Sequence, residues 1–269
     1  MTMFKWATAA SLVLSYFAIQ IQIAAAESLV GHWKLDGNAA DSSGIGNHGT
    51  VIGATSAPGF DGSPNGAYHF TGLFTGDQIE IPNSPSLAIS GDMTVAAWIK
   101  YEGHTGTIVS RYNSHQNRND WAFIVDGDEL NMQVFPTGHT SEFGWQRRTL
   151  SADLQTDRWY HVAATFDADA GGPSMKIYID GVEVAGQYLG TSTNVIATND
   201  EAVRIGALTN VDNVLASFRG SIDDVRLYDE ALSASQIAVL VPEPGSYALA
   251  TCGAIGLAFF ARRRMQGQR

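Results

Sequence analysis

Short runs of alternating hydrophobic and polar residues, separated by glycine, asparagine, aspartate and proline, extend over most of the chain. Runs of this length, rich in β-branched and aromatic residues, predict β-strands. The predicted strands cover residues 29–35, 67–70, 78–81, 93–101, 107–111, 121–125, 130–135, 159–166, 175–179, 203–205 and 218–228. Several of them alternate as one buried face requires, which predicts an all-β, two-sheet antiparallel sandwich.

The turns and the single helical pattern agree with this class of fold. The Asp-Gly pair at 180–181 is typical of a two-residue type I′ hairpin, and the Asp-Gly pair at 126–127 marks another hairpin. Residues 233–240 predict a short helix, with Ser233 as its N-cap and Ile237 on its apolar face. No internal repeat of a solenoid or propeller is visible.

The first 26 residues have the pattern of a secretory signal peptide. Lys5 gives a short positive region, an apolar stretch covers residues 7–23, and the small residues Ala24 and Ala26 stand where signal peptidase recognises its substrate. Cleavage after Ala26 would make Glu27 the first residue of the mature chain. The sequence therefore predicts export, with this segment removed.

The C-terminal end carries a second targeting pattern, formed by a Pro-Glu-Pro motif, an uncharged span and an arginine cluster. Its parts are Pro242, Glu243 and Pro244, the span at 246–261, and Arg262, Arg263 and Arg264. As a transmembrane helix the span would extend about 24 Å, which is short for a hydrocarbon core of about 30 Å. The arginines favour the cytoplasmic side. This order of parts resembles the PEP-CTERM sorting signal, which implies that residues 241–269 anchor the protein transiently until an exosortase removes them.

Residues 27–240 resemble the LamG-like jelly-roll domains of the concanavalin A-like lectin/glucanase superfamily. The blocks that carry the resemblance are 31–37, 41–49, 81–87, 93–100, 158–163, 177–181 and 220–228. They follow one another in the family's order and cover essentially the whole body between the two targeting segments. The resemblance implies a single jelly-roll domain, but a fold does not fix a function.

The body is strongly acidic and contains no thiol. Residues 27–241 hold 11 Lys and Arg against 26 Asp and Glu, a formal charge of −15, and the only cysteine of the chain, Cys252, lies in the tail. This charge disfavours nucleic acid and anionic membrane surfaces as partners and fits the binding of divalent cations. Without a disulfide, an exported body depends on its core and on any metal that it binds.

Four oxygen-bearing side chains near the first and last strands are candidate ligands of a structural calcium ion: Asp36, Asp41, Asn47 and Asp223. Asp223 is predicted to share the core-facing side of the last strand with Val225 and Leu227, where an ionised carboxylate is costly unless it is paired or metal-bound. Calcium accepts carboxylate and carbonyl oxygens, and LamG-like and glucanase relatives often carry such an ion. The alternative is that Asp41 only caps its own turn and Asp223 accepts hydrogen bonds from backbone amides.

Two polar segments, at 112–120 and 136–148, form the candidate glycan site because they combine aromatic rings with amide groups. The candidate residues are Tyr112, Asn113, Asn117, Phe143 and Trp145, with Tyr112 and Trp145 as stacking platforms. The alternative is that the rings pack in the ordinary way and the segments are solvated connections. The tryptophans at positions 33, 98 and 159 are predicted to lie in the core.

Catalysis is disfavoured by the pattern of acidic residues. A retaining glucanase on this fold needs two carboxylates about 5–5.5 Å apart, and the acids at 126, 128 and 129 fall in a turn. The seven histidines show no paired spacing that would indicate zinc. The sequence therefore favours a non-catalytic carbohydrate-binding or adhesive protein, exported to the cell surface or extracellular matrix. Its expected partners are signal peptidase, an exosortase, and an extracellular polysaccharide or cell-surface glycan. A structural matrix protein without a discrete ligand and a glycan hydrolase are the alternatives.

Overall fold

The computed structural model describes residues 28–72, 75–114, 118–138, 144–169, 174–209 and 217–241. The predicted signal peptide and sorting tail, including the span at 246–261, lie outside these residues. Within the described ranges, no helix has the length and apolar character needed to cross a bilayer.

The described residues form strands β1 to β16, a 3-10 helix and the helix α1. The strands are β1 Leu29–Trp33, β2 Thr50–Ile52, β3 Thr55–Ala57, β4 Ala67–Thr71, β5 Gln78–Ile81, β6 Met93–Tyr101, β7 Gly106–Asn113, β8 Arg118–Asp126, β9 Glu129–Val134, β10 Trp145–Thr149, β11 Trp159–Asp167, β12 Ser174–Ile179, β13 Val182–Glu183, β14 Gly186–Leu189, β15 Val203–Ile205 and β16 Arg219–Tyr228. The 3-10 helix is Pro85–Leu87, and α1 is Ala234–Val239.

The strands pack as two antiparallel sheets, which confirms the predicted sandwich. Sheet A has the order β13-β12-β11-β6-β16-β4-β3, with β1 also paired to β16. Sheet B has the order β14-β10-β9-β8-β7-β15-β5-β2. Five of these strands, β2, β3, β10, β13 and β14, were not predicted. Strand β10 overlaps the segment that the sequence indicated as a polar loop, and Trp145 is its only large apolar residue.

The core lies between the sheets and follows the alternation along each strand. In β6, Met93, Val95, Ala97 and Ile99 are fully buried in the core, whereas the residues between them face outward. Trp33 is fully buried, as predicted. Trp98 and Trp159 are half-buried and belong to the outward set, opposite His161 and Lys100 respectively. Their predicted core positions are therefore wrong.

Helix α1 covers part of the outward side of sheet A. Ile237 packs against Ala96, Ala163, Tyr178 and Tyr228 of that sheet, and the two alanines let the helix approach the backbone closely. Ser233 caps the helix through reciprocal bonds with Gln236, which confirms the predicted N-cap. The remainder of this side of sheet A lies beyond the helix.

Both predicted Asp-Gly hairpins are present. Asp180 and Gly181 have φ angles of 49° and 79°, the two positive values that a type I′ turn requires. Gly127, with φ of 68°, lies in the turn between the paired residues Asp126 and Glu129.

A β-bulge in the last strand changes which way its side chains point. Strand β16 pairs with β4 through residues 219–222 and with β1 through residues 225–228, and its register with β6 shifts between Asp223 and Arg226. Asp224 has a φ of 45° there. The extra residue reverses the alternation, so Asp223 lies opposite the outward-facing Trp98. The prediction that Asp223 shares the core-facing side with Val225 is therefore wrong.

Candidate functional site

The predicted glycan platform at Trp145 lies in the core. Trp145 is the first residue of β10 and 4% exposed, and its ring packs edge-on against Phe166 at 6.2 Å between centroids. Tyr188 stacks on its other side at 5.2 Å. Because neither face of the indole is open, Trp145 does not fit the role of a sugar platform, and this prediction is corrected.

Tyr112 and Asn113 end strand β7 and are also buried. The Tyr112 ring is 7% exposed and packs against Ala122 and Phe135, so it presents no free face either. The Asn113 amide donates to Glu201 Oε1 at 2.9 Å. The other two candidates, Asn117 and Phe143, lie outside the described residues.

The predicted calcium ligands fall into two separate groups. Asp41 accepts hydrogen bonds from the backbone N–H groups of His32, Ser43, Gly46 and Asn47, at 2.8–3.0 Å. The hydroxyl of Ser43 also donates to it. These bonds hold the pKa of Asp41 below its usual value although burial acts to raise it. Asp41 therefore organises its own turn, as the alternative interpretation held.

Asn47 is engaged in the same way. Its Nδ2 donates to the Val30 carbonyl at 2.8 Å and to Ser86 at 2.9 Å, and its Oδ1 accepts from Ser84 at 2.7 Å. The side chain joins the first strand to the segment before the 3-10 helix. Its oxygen is not free for a metal ion.

Asp36 and Asp223 line a pocket of ≈ 210 Å³ together with Asp61 and Asp224, and the basic side chains of His32, Lys34 and Arg226 line it as well. We call the four aspartates the aspartate pocket. It lies beside the bulge, and Asp223 Oδ2 accepts from the Phe60 amide at 3.0 Å. Burial raises the pKa of Asp223 to about 7, and the charges of Asp224 and Asp36 act in the same direction. In contrast, the pKa of Asp224 is lowered despite its burial because His32 donates to it at 2.6 Å and Arg226 lies at 2.9 Å.

In the described part of the chain, no three histidine, cysteine, aspartate or glutamate side chains form a group that could hold a metal ion. A calcium ion in the aspartate pocket would need backbone or water oxygens in addition. Such mixed coordination is ordinary for calcium. The calcium ion stays an untested prediction for Asp36 and Asp223, while local hydrogen bonds occupy Asp41 and Asn47.

A row of amide side chains crosses the outward side of sheet B. Asn131 and Gln133 on β9 lie opposite Arg148 and Gln146 on β10, and Gln187 on β14 continues the row beyond Arg148. We call these five residues the amide face. The signal in the sequence was the strict alternation of Glu129 to Val134, in which every second residue is polar and the others enter the core.

The centre of the amide face is recessed. Asn131, Gln133 and Gln146 are 0%, 8% and 4% exposed, whereas Gln187 at the rim is exposed. Asn131 Nδ2 donates to Gln146 Oε1 at 3.1 Å, but the buried Asn131 Oδ1 accepts no hydrogen bond from the described residues. Other buried side-chain atoms of the described residues, such as Gln78 Oε1 and Asn119 Oδ1, are in the same condition, so the row of amides rather than this single oxygen distinguishes the face.

The acids next to the amide face are held in ion pairs. Arg148 contacts Asp126 and lies 3.3 Å from Glu129 Oε2. These are the carboxylates that came nearest to a catalytic pair in the sequence, and both neutralise the same guanidinium group. The geometry is suited to binding polar groups.

Comparisons with known proteins agree with the fold. A sequence profile described as the concanavalin A-like lectin/glucanases superfamily matches residues 71–238. No curated protein matches the chain. Domain 4 of a GH43 extracellular arabinanase from Geobacillus stearothermophilus, solved in complex with arabinotriose, has a TM-score of 0.52 at 24% identity and covers 80% of this chain and 98% of that chain.

Two toxin domains are similar in the same way. The ligand-binding domain of botulinum neurotoxin serotype D, in complex with N-acetylneuraminic acid, has a TM-score of 0.58 at 16% identity and covers 82% of this chain. The binding domain of Paraclostridial mosquitocidal protein 1 has a TM-score of 0.59 at 15% identity and covers 80% of this chain. In both cases this chain spans 52% of the toxin domain. At these identities the likeness concerns the fold.

Proposed function

Because the chain belongs to the concanavalin A-like lectin/glucanases superfamily, we propose that it is an exported, non-catalytic protein that binds carbohydrate at the amide face. The observation that carries the proposal is the recessed row of amide side chains on the outward side of sheet B. Sugar hydroxyl groups donate and accept at once, and side-chain amides do the same. An amide row therefore matches a chain of hydroxyl groups better than it matches an apolar or purely anionic ligand.

Structural neighbours support the same class of ligand. The arabinanase domain is bound to arabinotriose and the neurotoxin domain to N-acetylneuraminic acid. A binding function rather than hydrolysis is supported by the pairing of Asp126 and Glu129 with Arg148. Retaining or inverting hydrolysis would need one carboxyl group protonated and the other free.

The proposal includes how the protein is exported and sorted. Signal peptidase removes the segment before Glu27, and the PEP-CTERM signal delivers the protein to an exosortase at the membrane. After transient anchoring, the domain acts at the cell surface or in the extracellular matrix, with a polysaccharide or surface glycan as its partner. A structural calcium ion in the aspartate pocket, held by Asp36 and Asp223 with backbone oxygens, completes the proposal.

A glycan array with the full chain and two variants tests the binding site. We expect the wild-type protein to bind one class of neutral glycan and the double variant Gln133→Ala/Gln146→Ala to lose about tenfold or more in affinity. Gln155→Ala is the control because Gln155 is an exposed amide that lies in neither sheet. It should bind like the wild type.

Two results would overturn the proposal. A well-folded full chain that binds no glycan on the array rules out carbohydrate recognition. Equal affinity of the wild type and the double variant rules out the amide face as the site.

A further inference from the structure

The part of sheet A that helix α1 leaves uncovered carries a continuous cross-strand row of polar and aromatic residues. Trp159 lies opposite Lys100, Lys100 opposite Ser221, and Ser221 opposite His69. We call these four residues the tryptophan-lysine face. Neighbouring strands are about 4.8 Å apart, so the row across four strands spans roughly 14 Å, enough for a short oligosaccharide. It lies on the opposite side of the sandwich from the amide face.

The ring and the charge at one end of the row are available to a ligand. Trp159 and Lys100 are both half-buried, and the Lys100 ammonium lies 5.9 Å from the centroid of the Trp159 ring. Lys100 forms no ion pair with the described residues, whereas Lys176 on the same side of sheet A pairs with Glu183 at 3.5 Å. The neighbouring Trp98 differs from Trp159 because Phe60 stacks on it at 4.3 Å.

The carboxylates next to Lys100 and Trp159 are paired with other cations. Glu102 is the carboxylate at this end of strand β6, and it already faces His69 at 3.2 Å and Arg219 at 3.8 Å. Arg158, which precedes Trp159, is paired with Asp180 at 3.2 Å. Lys100 thus remains as a cation without a counter-charge beside an aromatic ring.

We propose that the tryptophan-lysine face is a second glycan site, specific for a sugar that carries a carboxylate, such as a uronic acid. The carboxylate pairs with the Lys100 ammonium, and the apolar side of the pyranose ring packs on the half-exposed indole of Trp159. A neutral sugar would leave Lys100 unpaired. A lipid surface fits less well, because no large aliphatic side chain is exposed among the described residues of this face.

Titration of the full chain with an oligogalacturonate hexamer, and with the same hexamer after reduction of its carboxyl groups, tests this proposal. The measurement is made at 0.15 M salt, where the Debye length of about 8 Å screens the overall negative charge. We expect the acidic hexamer to bind at least about tenfold more tightly than the reduced one, a difference equivalent to one charge-assisted contact.

Variants assign the binding to the face. Lys100→Gln should lower the affinity for the acidic hexamer about tenfold, Lys100→Arg should keep most of it, and Lys176→Gln should behave as the wild type. Trp159→Leu should weaken both hexamers, and its melting temperature shows whether the variant is folded. If Trp159→Leu is unfolded, the three lysine variants decide the matter.

Three outcomes would overturn the proposal: equal affinity for the two hexamers, equal losses from Lys100→Gln and Lys176→Gln, or Lys100-dependent binding to phosphatidylglycerol vesicles without binding to the hexamer. The proposals for the two sites can be rejected independently of each other. Loss of hexamer binding in Gln133→Ala/Gln146→Ala would assign acidic sugars to the amide face and reject the second site alone. Loss of neutral-glycan binding in that variant, with hexamer binding intact, is the result expected if both sites exist.

Discussion

Replacing Asp223 by asparagine should stabilise the protein at alkaline pH in the absence of divalent cations. Asp223 is 3% exposed, and its pKa rises from 3.8 to about 7 because burial and the neighbouring charges of Asp224 and Asp36 disfavour the anion. Asparagine keeps an oxygen that can accept from the Phe60 amide and removes the charge. The variant therefore isolates the electrostatic cost of the carboxylate.

The sign and size of the effect follow from linkage. A carboxyl group whose pKa is higher in the folded than in the unfolded state binds its proton more tightly in the folded state, so stability increases as the pH falls. The ionised Asp223 therefore lowers the stability of the wild type by the full amount above about pH 7, and this effect disappears as the pH falls towards 4. A shift of about three units corresponds to at most roughly 4 kcal/mol, or on the order of ten degrees in melting temperature for a body of this size.

Melting temperatures of the wild type and Asp223→Asn, measured with chelator at pH 8 and pH 5, check this expectation. The variant should melt higher at pH 8, and the difference should shrink at pH 5. Millimolar calcium should narrow this difference at pH 8, because the ion needs the carboxylate and stabilises the wild type by about 2.7 kcal/mol at a hundredfold excess over Kd. A variant that melts lower than the wild type in chelator at pH 8 would refute the electrostatic reasoning. Identical melting with and without calcium would reject the ion.

Three further predictions concern the core and the tail. Arg111→Met should lower the free energy of unfolding, measured in urea, by about 3–5 kcal/mol, because it leaves the buried Asp120 carboxylate without its ion-pair partner. That carboxylate lies 2.9 Å from Arg111 Nε, and both side chains are 1% exposed. The exposed Arg158→Met serves as the control and should cost less than about 1 kcal/mol. Trp145→Ala should cost about 3–5 kcal/mol as a core truncation, and glycan affinity unchanged in the fraction that stays folded would confirm that Trp145 is no platform. Alanines at 242–244 should leave an uncut, membrane-retained precursor, and the intact mass of the native surface protein decides whether the tail is removed.

The fold could be predicted because its evidence is spread over many strands. The alternation within β6 and β11, the Asp-Gly pair at 180–181 and the cap at Ser233 each act locally, and each was found where it was expected. Strand β10 could not be found in this way. Its sequence Trp-Gln-Arg-Arg-Thr contains one large apolar residue, and only pairing with β9 and β14 makes it a strand.

The site was harder to predict because it depends on the direction of single side chains. One extra residue at Asp224 turned Asp223 outward. Its mark in the sequence is a change of period, because the buried core residues Ile222 and Val225 are three positions apart. Asp41 and Asn47 have suitable oxygens for calcium, but local donors already bind them. The outward positions of Trp98 and Trp159 were, in contrast, available from the sequence. Each alternates with core residues on its strand, and Lys100 shares the outward side.

The strands that end each sheet are short. Strand β13 has two residues, β2 and β3 have three each, and β14 has four. The side chain of Tyr188 on β14 also links the two sheets. Its hydroxyl accepts a hydrogen bond from the backbone amide of Met175 on β12 and donates one to the Met175 carbonyl. Long free strands recruit identical strands from other molecules. Such short ends give little template for that growth, so many copies can crowd together without forming cross-β fibrils.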